Sequence, residues 1–113
     1  MGHAALLIID MQNDFVLEDK PLRVAGASAV IPKIQSVLAG FRKRNLPVFH
    51  IVRVHRKDGS DVEIIRRDRF LQVPFAVDGS AGAAVIDELA PLPGEYVLKK
   101  TRMSAFLGTE LDL

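Results

Sequence analysis

Two charged side chains stand where chemistry could be done. Asp10 ends the apolar run Ala4-Ala5-Leu6-Leu7-Ile8-Ile9, and Lys100 follows the run that contains Tyr96, Val97 and Leu98. If both runs are strands of one parallel sheet, both charges fall at carboxyl ends, on the edge where open α/β sheets place their ligand crevice. Opposite charges at neighbouring strand ends can pair. Each residue also has a plainer reading, Asp10 as a loop carboxylate capping a turn and Lys100 as a solvated cation beside Lys99. Position alone does not choose between them. A thiol nucleophile cannot accompany them, because the 113 residues contain no cysteine. That removes disulfides, thiolate metal sites and thiol nucleophiles together.

The elements that would position these residues follow from hydropathy and breakers. Ala4 to Ile9 is short and apolar on both faces, which predicts a buried parallel strand. Met11 to Gly26 reads as a polar loop. Ser28 is a plausible cap for a helix running to about Arg44. Within it Val30, Ile31, Ile34, Val37, Leu38 and Phe41 form one stripe of a 3.6-residue period. Pro32 sits in the first turn, where its missing N–H costs little, and Arg42, Lys43 and Arg44 suit the C-terminal end of the helix dipole. Val48 to Val54 is rich in β-branched residues and predicts a second strand, closing a right-handed βαβ unit. Residues 55 to 80 read as irregular and charged, with Gly59, Pro74 and Gly79 as breakers. A short helix is expected from about Ala81 to Leu89 and a third strand over Glu95 to Lys99. A turn at Ser104 to Thr109 follows, with Thr109 placed to cap a further helix. Three strands alternating with helices make an α/β, doubly wound pattern, and three of an expected six strands are present.

The bulk properties fit one domain or part of one. Hydrophobic residues make up 49% and charged residues 26% of the chain, ordinary values for a globular protein. A formal charge of +1 gives no electrostatic reason to expect a nucleic-acid or membrane partner. No apolar run approaches the roughly 20 residues of a membrane span. Asp10 interrupts the only apolar stretch near the N-terminus and no basic region precedes it, so no signal peptide is read and a cytoplasmic protein is expected.

The run Ala5-Leu6-Leu7-Ile8-Ile9-Asp10-Met11-Gln12-Asn13-Asp14-Phe15 resembles the opening motif of the isochorismatase-like cysteine hydrolases. A second block, Pro93 to Asp112, is similar to that family's Lys-x-x-x-Ser-Ala-Phe-x-Gly-Thr-x-Leu segment, with Lys100, Ser104, Ala105, Phe106, Gly108, Thr109 and Leu111 in place. The stretch Val52 to Asp61 also looks typical of it. The resemblance covers almost the whole chain and implies a Rossmann-like fold, with residues 1–113 forming the N-terminal portion of a single hydrolase domain. It implies that Asp10 is the catalytic acid/base and Lys100 its electrostatic partner, since Lys100 rather than Lys99 lies four residues before Ser104. Phe15 and Phe106 would wall the substrate pocket, unless they are ordinary core, and Gln12 would add polar contacts. The implied substrate is a small amide or related small molecule, attacked by a cysteine that the family supplies after its fourth strand. A cysteine-free branch instead cleaves a vinyl ether with the Asp as general acid, and an inactive binding module is the remaining reading. Members of the family commonly self-associate, so a homo-oligomer is expected.

Nicotinamidases of this family bind a metal through Asp-x-His at the end of the second strand. The matching stretch here is Arg53-Val54-His55, with arginine in place of the acidic ligand and no later histidine. No metal and no cofactor are expected. His50 reads as a strand residue. The basic cluster Ile64 to Phe70 reads as a solvated loop rather than a nucleic-acid site. A nucleotide site fails too, because Asp10-Met11-Gln12 stands where a Gly-rich loop would be.

Overall fold

The computed structural model describes residues 3–105. Its strands are β1 (Leu6–Ile9), β2 (Val48–Arg53) and β3 (Tyr96–Lys100), and its helices are α1 (Asn13–Val16), α2 (Ile31–Lys43) and α3 (Ile64–Gln72). Single 3₁₀ turns at Ser28–Val30 and Asp87–Leu89 complete the regular structure. The sheet is parallel throughout, in the order β1-β2-β3. Ile9 lies opposite Ile51, and Arg53 lies opposite Lys100. The expected α/β architecture with three parallel strands is therefore the one observed, and the outer edge of β1 pairs with no other strand among the described residues.

The α2 helix covers one face of the sheet. Leu38 is buried with Ile8, Val48, Ile86 and Leu89, and Ile31, Ile34 and Phe41 pack against that cluster. The predicted stripe is only partly covered, since Val30 and Val37 remain 42% and 48% exposed. Val37 borders an apolar groove along β1 with Leu6, Leu7, Ile8 and Ile9, on the unpaired side of the sheet. A second cluster of Val62, Phe70, Phe75 and Ala76 lies under the segment after β2, with Phe15 and Leu22 against it.

Three expected elements differ. The stretch Met11 to Gly26, expected as a polar loop, contains the single-turn helix α1 (Asn13–Val16). Residues 55 to 80 are not wholly irregular, because Ile64–Gln72 is helical. Its apolar anchor is Phe70, fully buried, while Ile64 and Ile65 are 84% and 89% exposed. With one buried position, the helix shows no periodic stripe in sequence. The short helix expected over Ala81 to Leu89 is reduced to the 3₁₀ turn at its end. The carbonyls of Gly82 and Ala84 instead accept hydrogen bonds from Asp14 N and Asn13 N, both at 2.9 Å. Those are the N–H groups that α1 cannot satisfy internally, and residues 81–84 form a turn and bend that serve them rather than a helix. The helix start expected at Thr109 lies outside the described residues.

A polar clamp ties α2 to the strands. Arg42, in the last turn of α2, donates through Nε and Nη2 to the two carboxylate oxygens of Glu95 at 2.7 and 2.9 Å. His50, in β2 and fully buried, donates to the same carboxylate at 2.8 Å. These donors, Arg42 foremost, outweigh burial and hold the Glu95 carboxyl down at about 2, from an ordinary 4.5. A depressed folded-state pKa stabilises fully above the unfolded value, and that stabilisation is lost as pH falls through the folded value. The difference in unfolding free energy between wild type and Glu95→Gln should thus be largest above pH 4.5 and shrink as pH falls towards 2. Urea denaturation across that range checks this, and a difference that does not change with pH would refute the clamp.

Candidate active site

The first residue after β1 sets the site. Asp10 has φ 60°, a left-handed conformation that few residues other than glycine adopt. Its N–H still reaches Ile51 O at 3.0 Å, so the chain leaves the sheet immediately after its last ladder bond. This turn sends the Asp10 carboxylate along the strand ends. There Oδ2 meets Lys100 Nζ at 3.2 Å. The two residues expected to pair do so, with one correction. Their strands are not neighbours, because β2 lies between them. Two strand spacings amount to about 9–10 Å, a gap that the four-carbon lysine stem can help to cross. The lysine side chain is 1% exposed, and its ammonium also donates to Met103 O at 2.6 Å. Asp10 Oδ1 is buried and has no hydrogen-bond partner among the described residues.

Gln12 departs from its expected role. It is fully buried, and its amide is committed to the protein rather than offered to a ligand. Oε1 accepts from Arg53 N at 2.8 Å, while Nε2 donates to Arg53 O at 2.7 Å and to Ala83 O at 2.8 Å. The side chain thus imitates the next rung of a strand, taking over the pairing of β2 where β1 has turned away. Asp14 has a similar duty. Its Oδ2 accepts from the N–H of Ala76, itself at φ 49°, and its carboxylate sits so close to Gly82 that any β-carbon there would overlap it.

Arg53 and His55 form a second buried polar group. Arg53 is 4% exposed; its Nη2 pairs with Glu63 at 2.9 Å, and its guanidinium lies over the Phe75 ring at 5.6 Å. Arg53 Nε donates to His55 Nε2 at 3.0 Å. Burial first, then the Arg53 cation, pushes His55 below its ordinary pKa, which keeps the accepting lone pair free of a proton. The opposite ring nitrogen, Nδ1, lies 3.4 Å from Asp61. A ring nitrogen that accepts from a guanidinium has no lone pair for a metal, and the residue two before it is a cation. This donor set does not fit the Asp-x-His metal site of nicotinamidases.

Above the Asp10 carboxylate lies a cavity of about 580 Å³. Its walls are mainly apolar and include Phe15, Leu22, Val24, Val30 and Phe75. Phe15 meets Phe75 edge-on at 6.2 Å, so it both lines the cavity and packs on the second core. Phe106 lies outside the described residues. Three cationic residues also line the cavity, Arg53, Arg66 and Arg69. Reading the basic cluster as a solvated loop missed Arg66 and Arg69. Their spacing of three residues, one helical turn, was the available signal once α3 is recognised as a helix.

The isochorismatase domain profile matches residues 4–113. The chain belongs to the isochorismatase family. It is 50% identical to a crystallised isochorismatase family protein of Desulfovibrio vulgaris subsp. vulgaris str. Hildenborough, with a TM-score of 0.91, over 96% of this chain and 57% of that one. It is 38% identical to a probable inactive nicotinamidase of Arabidopsis thaliana, over 96% of this chain and 57% of the relative. It is 31% identical to an N-carbamoylsarcosine amidase of Arthrobacter sp, over 96% of this chain and 42% of the relative. The chain thus spans about half the length of these isochorismatase-family relatives. None of its described helices is long and apolar enough to cross a membrane.

The Gln12 arrangement carries a prediction. Gln12→Leu keeps the volume but leaves Arg53 N, Arg53 O and Ala83 O unpaired in a buried site. Unsatisfied buried groups of this kind cost about 1–3 kcal/mol each before relaxation, so the variant should lose roughly 2–4 kcal/mol in urea denaturation. A loss below about 0.5 kcal/mol, the range of ordinary surface substitutions, would show that the amide is not structural.

Proposed function

We propose that the cavity above the Asp10–Lys100 pair is part of a hydrolase site acting on a small amide or related small molecule. On this reading residues 1–113 are the N-terminal portion of one hydrolase domain, and the cysteine nucleophile comes from outside them. The observation that carries the proposal is the division of labour within one carboxylate. Asp10 Oδ2 is held by a buried ammonium, while Oδ1 has no hydrogen-bond partner among the described residues, and the residue borders the cavity. An oxygen so placed can take a proton from a nucleophile and return it to a leaving amine. Lys100 acts as the fixed counter-charge that positions the carboxylate. The N-carbamoylsarcosine amidase relative supports the amide reading.

A second reading has its own support. The chain has no cysteine, and one relative is described as a probable inactive nicotinamidase. On that reading the cavity binds a small molecule without hydrolysing it.

The product of the natural gene decides between them. Ammonia release from a panel of small primary amides should be measurable, and Asp10→Asn should lower kcat by at least about a hundredfold, the scale of a lost general base. Lys100→Met should do likewise. Turnover that survives Asp10→Asn within a few-fold would remove Asp10 from the chemistry. A natural product of only these 113 residues, with no turnover of any amide, would leave the binding module as the function.

A further inference from the structure

Arg53 borders the cavity with its guanidinium held from three sides. Nη2 donates to Glu63 at 2.9 Å, Nη1 to the Met103 sulfur at 3.4 Å, and Nε to His55 Nε2 at 3.0 Å. The third partner is an imidazole, which accepts only while that nitrogen carries no proton. Arginine does not give up its own proton in a protein, so the bond runs in one direction. The single proton of the neutral ring is then on Nδ1, the nitrogen that lies 3.4 Å from Asp61 Oδ1. The Asp61 carboxylate is itself held by the Arg56 N–H, which donates to its two oxygens at 3.0 and 3.1 Å. Acid, imidazole and guanidinium thus form a chain that runs from the loop after β2 to the cavity.

The imidazole is enclosed. Phe70 and Phe75 meet it edge-on at centroid distances of 5.7 and 5.4 Å. Its backbone is fixed as well, because His55 N donates to Ala76 O at 2.8 Å and His55 O accepts from Asp78 N at 2.9 Å. His55 is fully buried and Arg53 almost so, which makes a lost partner costly on either side. Among the described residues the charged groups facing the ring are Arg53 from β2, Asp61 from the loop and Arg102 after β3, while α3 presents the uncharged Phe70. Burial first, then Arg53 and finally Arg102 oppose a second proton, against Asp61 alone, and hold His55 below its ordinary 6.5.

We propose that His55 is a positioning residue of the site, one that fixes Arg53 at the cavity as the neutral Nδ1–H imidazole and releases it on protonation. A second proton removes the acceptor and sets two cations 3.0 Å apart in a buried place. The guanidinium must then turn away from the ring, and it cannot do so without disturbing Met103. That residue ties Arg53 to the Asp10–Lys100 pair, since its sulfur takes Arg53 Nη1 and its carbonyl takes the Lys100 ammonium at 2.6 Å. Protonation of one buried ring thereby reaches the carboxylate at the head of β1. For catalysis the consequence is an acid limit set by His55 in addition to any set by Asp10. That consequence rests on the reading of the cavity as a hydrolase site, whereas the hold of His55 on Arg53 does not.

Imidazole nitrogen NMR spectra of the 113-residue protein, recorded from mildly alkaline pH downwards, read tautomer and protonation together. His55 should start as the Nδ1–H tautomer and take up its second proton only below 6.5. The Arg53 Nε–H signal and the Met103 methyl signal should move with the same midpoint. In Arg53→Met the Nε2 lone pair is free and one facing cation is gone, so the midpoint should rise by roughly one pH unit, the scale of a close like charge. An Nε2–H ring at the alkaline end would overturn the proposal without any variant. So would protonation that leaves the Arg53 signal in place, or a midpoint that does not change in Arg53→Met. A ring that stays neutral until the fold itself is lost supports the pair. None of these signals depends on turnover, so an absence of hydrolysis would remove the catalytic consequence and leave the positioning role standing.

Discussion

A lysine ammonium that is almost wholly buried needs a counter-charge within reach, and the site is organised by that requirement. Lys100 reaches it in Asp10, on a strand that is not its neighbour. Meeting it requires β1 to end at Ile9 and the backbone to turn into the left-handed region at the next residue. Register then places Arg53 beside Lys100, and this second buried cation draws Glu63 from the start of α3. Each buried cation thus recruits an acid from a different part of the chain. The acid of one pair and the cation of the other become neighbours along the cavity floor.

Ending β1 early leaves the backbone of Arg53 without a strand partner. Gln12 supplies one with its side chain, and the same amide holds Ala83. The turn and bend at residues 82–84 then satisfy the first turn of α1, which carries Phe15 to the cavity wall. The wall and the floor are therefore coupled through one buried amide. The opposite edge of the sheet is built differently. Along β1 the unpaired edge is bordered by the exposed Val37, an arrangement in keeping with relatives about twice as long.

The strands and α2 were legible because their signals are local. Leu6 to Ile9 and Val48 to Arg53 are continuous apolar runs, and the stripe from Ile31 to Phe41 has one period. The pairing of Asp10 with Lys100 was legible from position and resemblance. What escaped was set by contacts distant in sequence. α3 has one buried apolar residue, Phe70, so its arginines looked like loop residues. The segment after Ala81 looked helical until its carbonyls were claimed by α1, some 70 residues earlier. Gln12 looked like a ligand contact because nothing in its neighbourhood shows that Arg53 would lack a partner. Arg53 was noticed only for the metal ligand it replaces, whereas it is a structural cation of the cavity.

The claim beneath all of this is that Asp10 and Lys100 act as one unit. A double-mutant cycle with Asp10→Asn and Lys100→Met, followed by urea denaturation, measures it directly. A pair in which the ammonium is buried and the carboxylate is a third exposed should show a coupling of roughly 1–3 kcal/mol, the double variant being more stable than the sum of the single losses predicts. Losses that add within about 0.5 kcal/mol would mean that the two charges do not depend on each other, and the account of the site would fail with them.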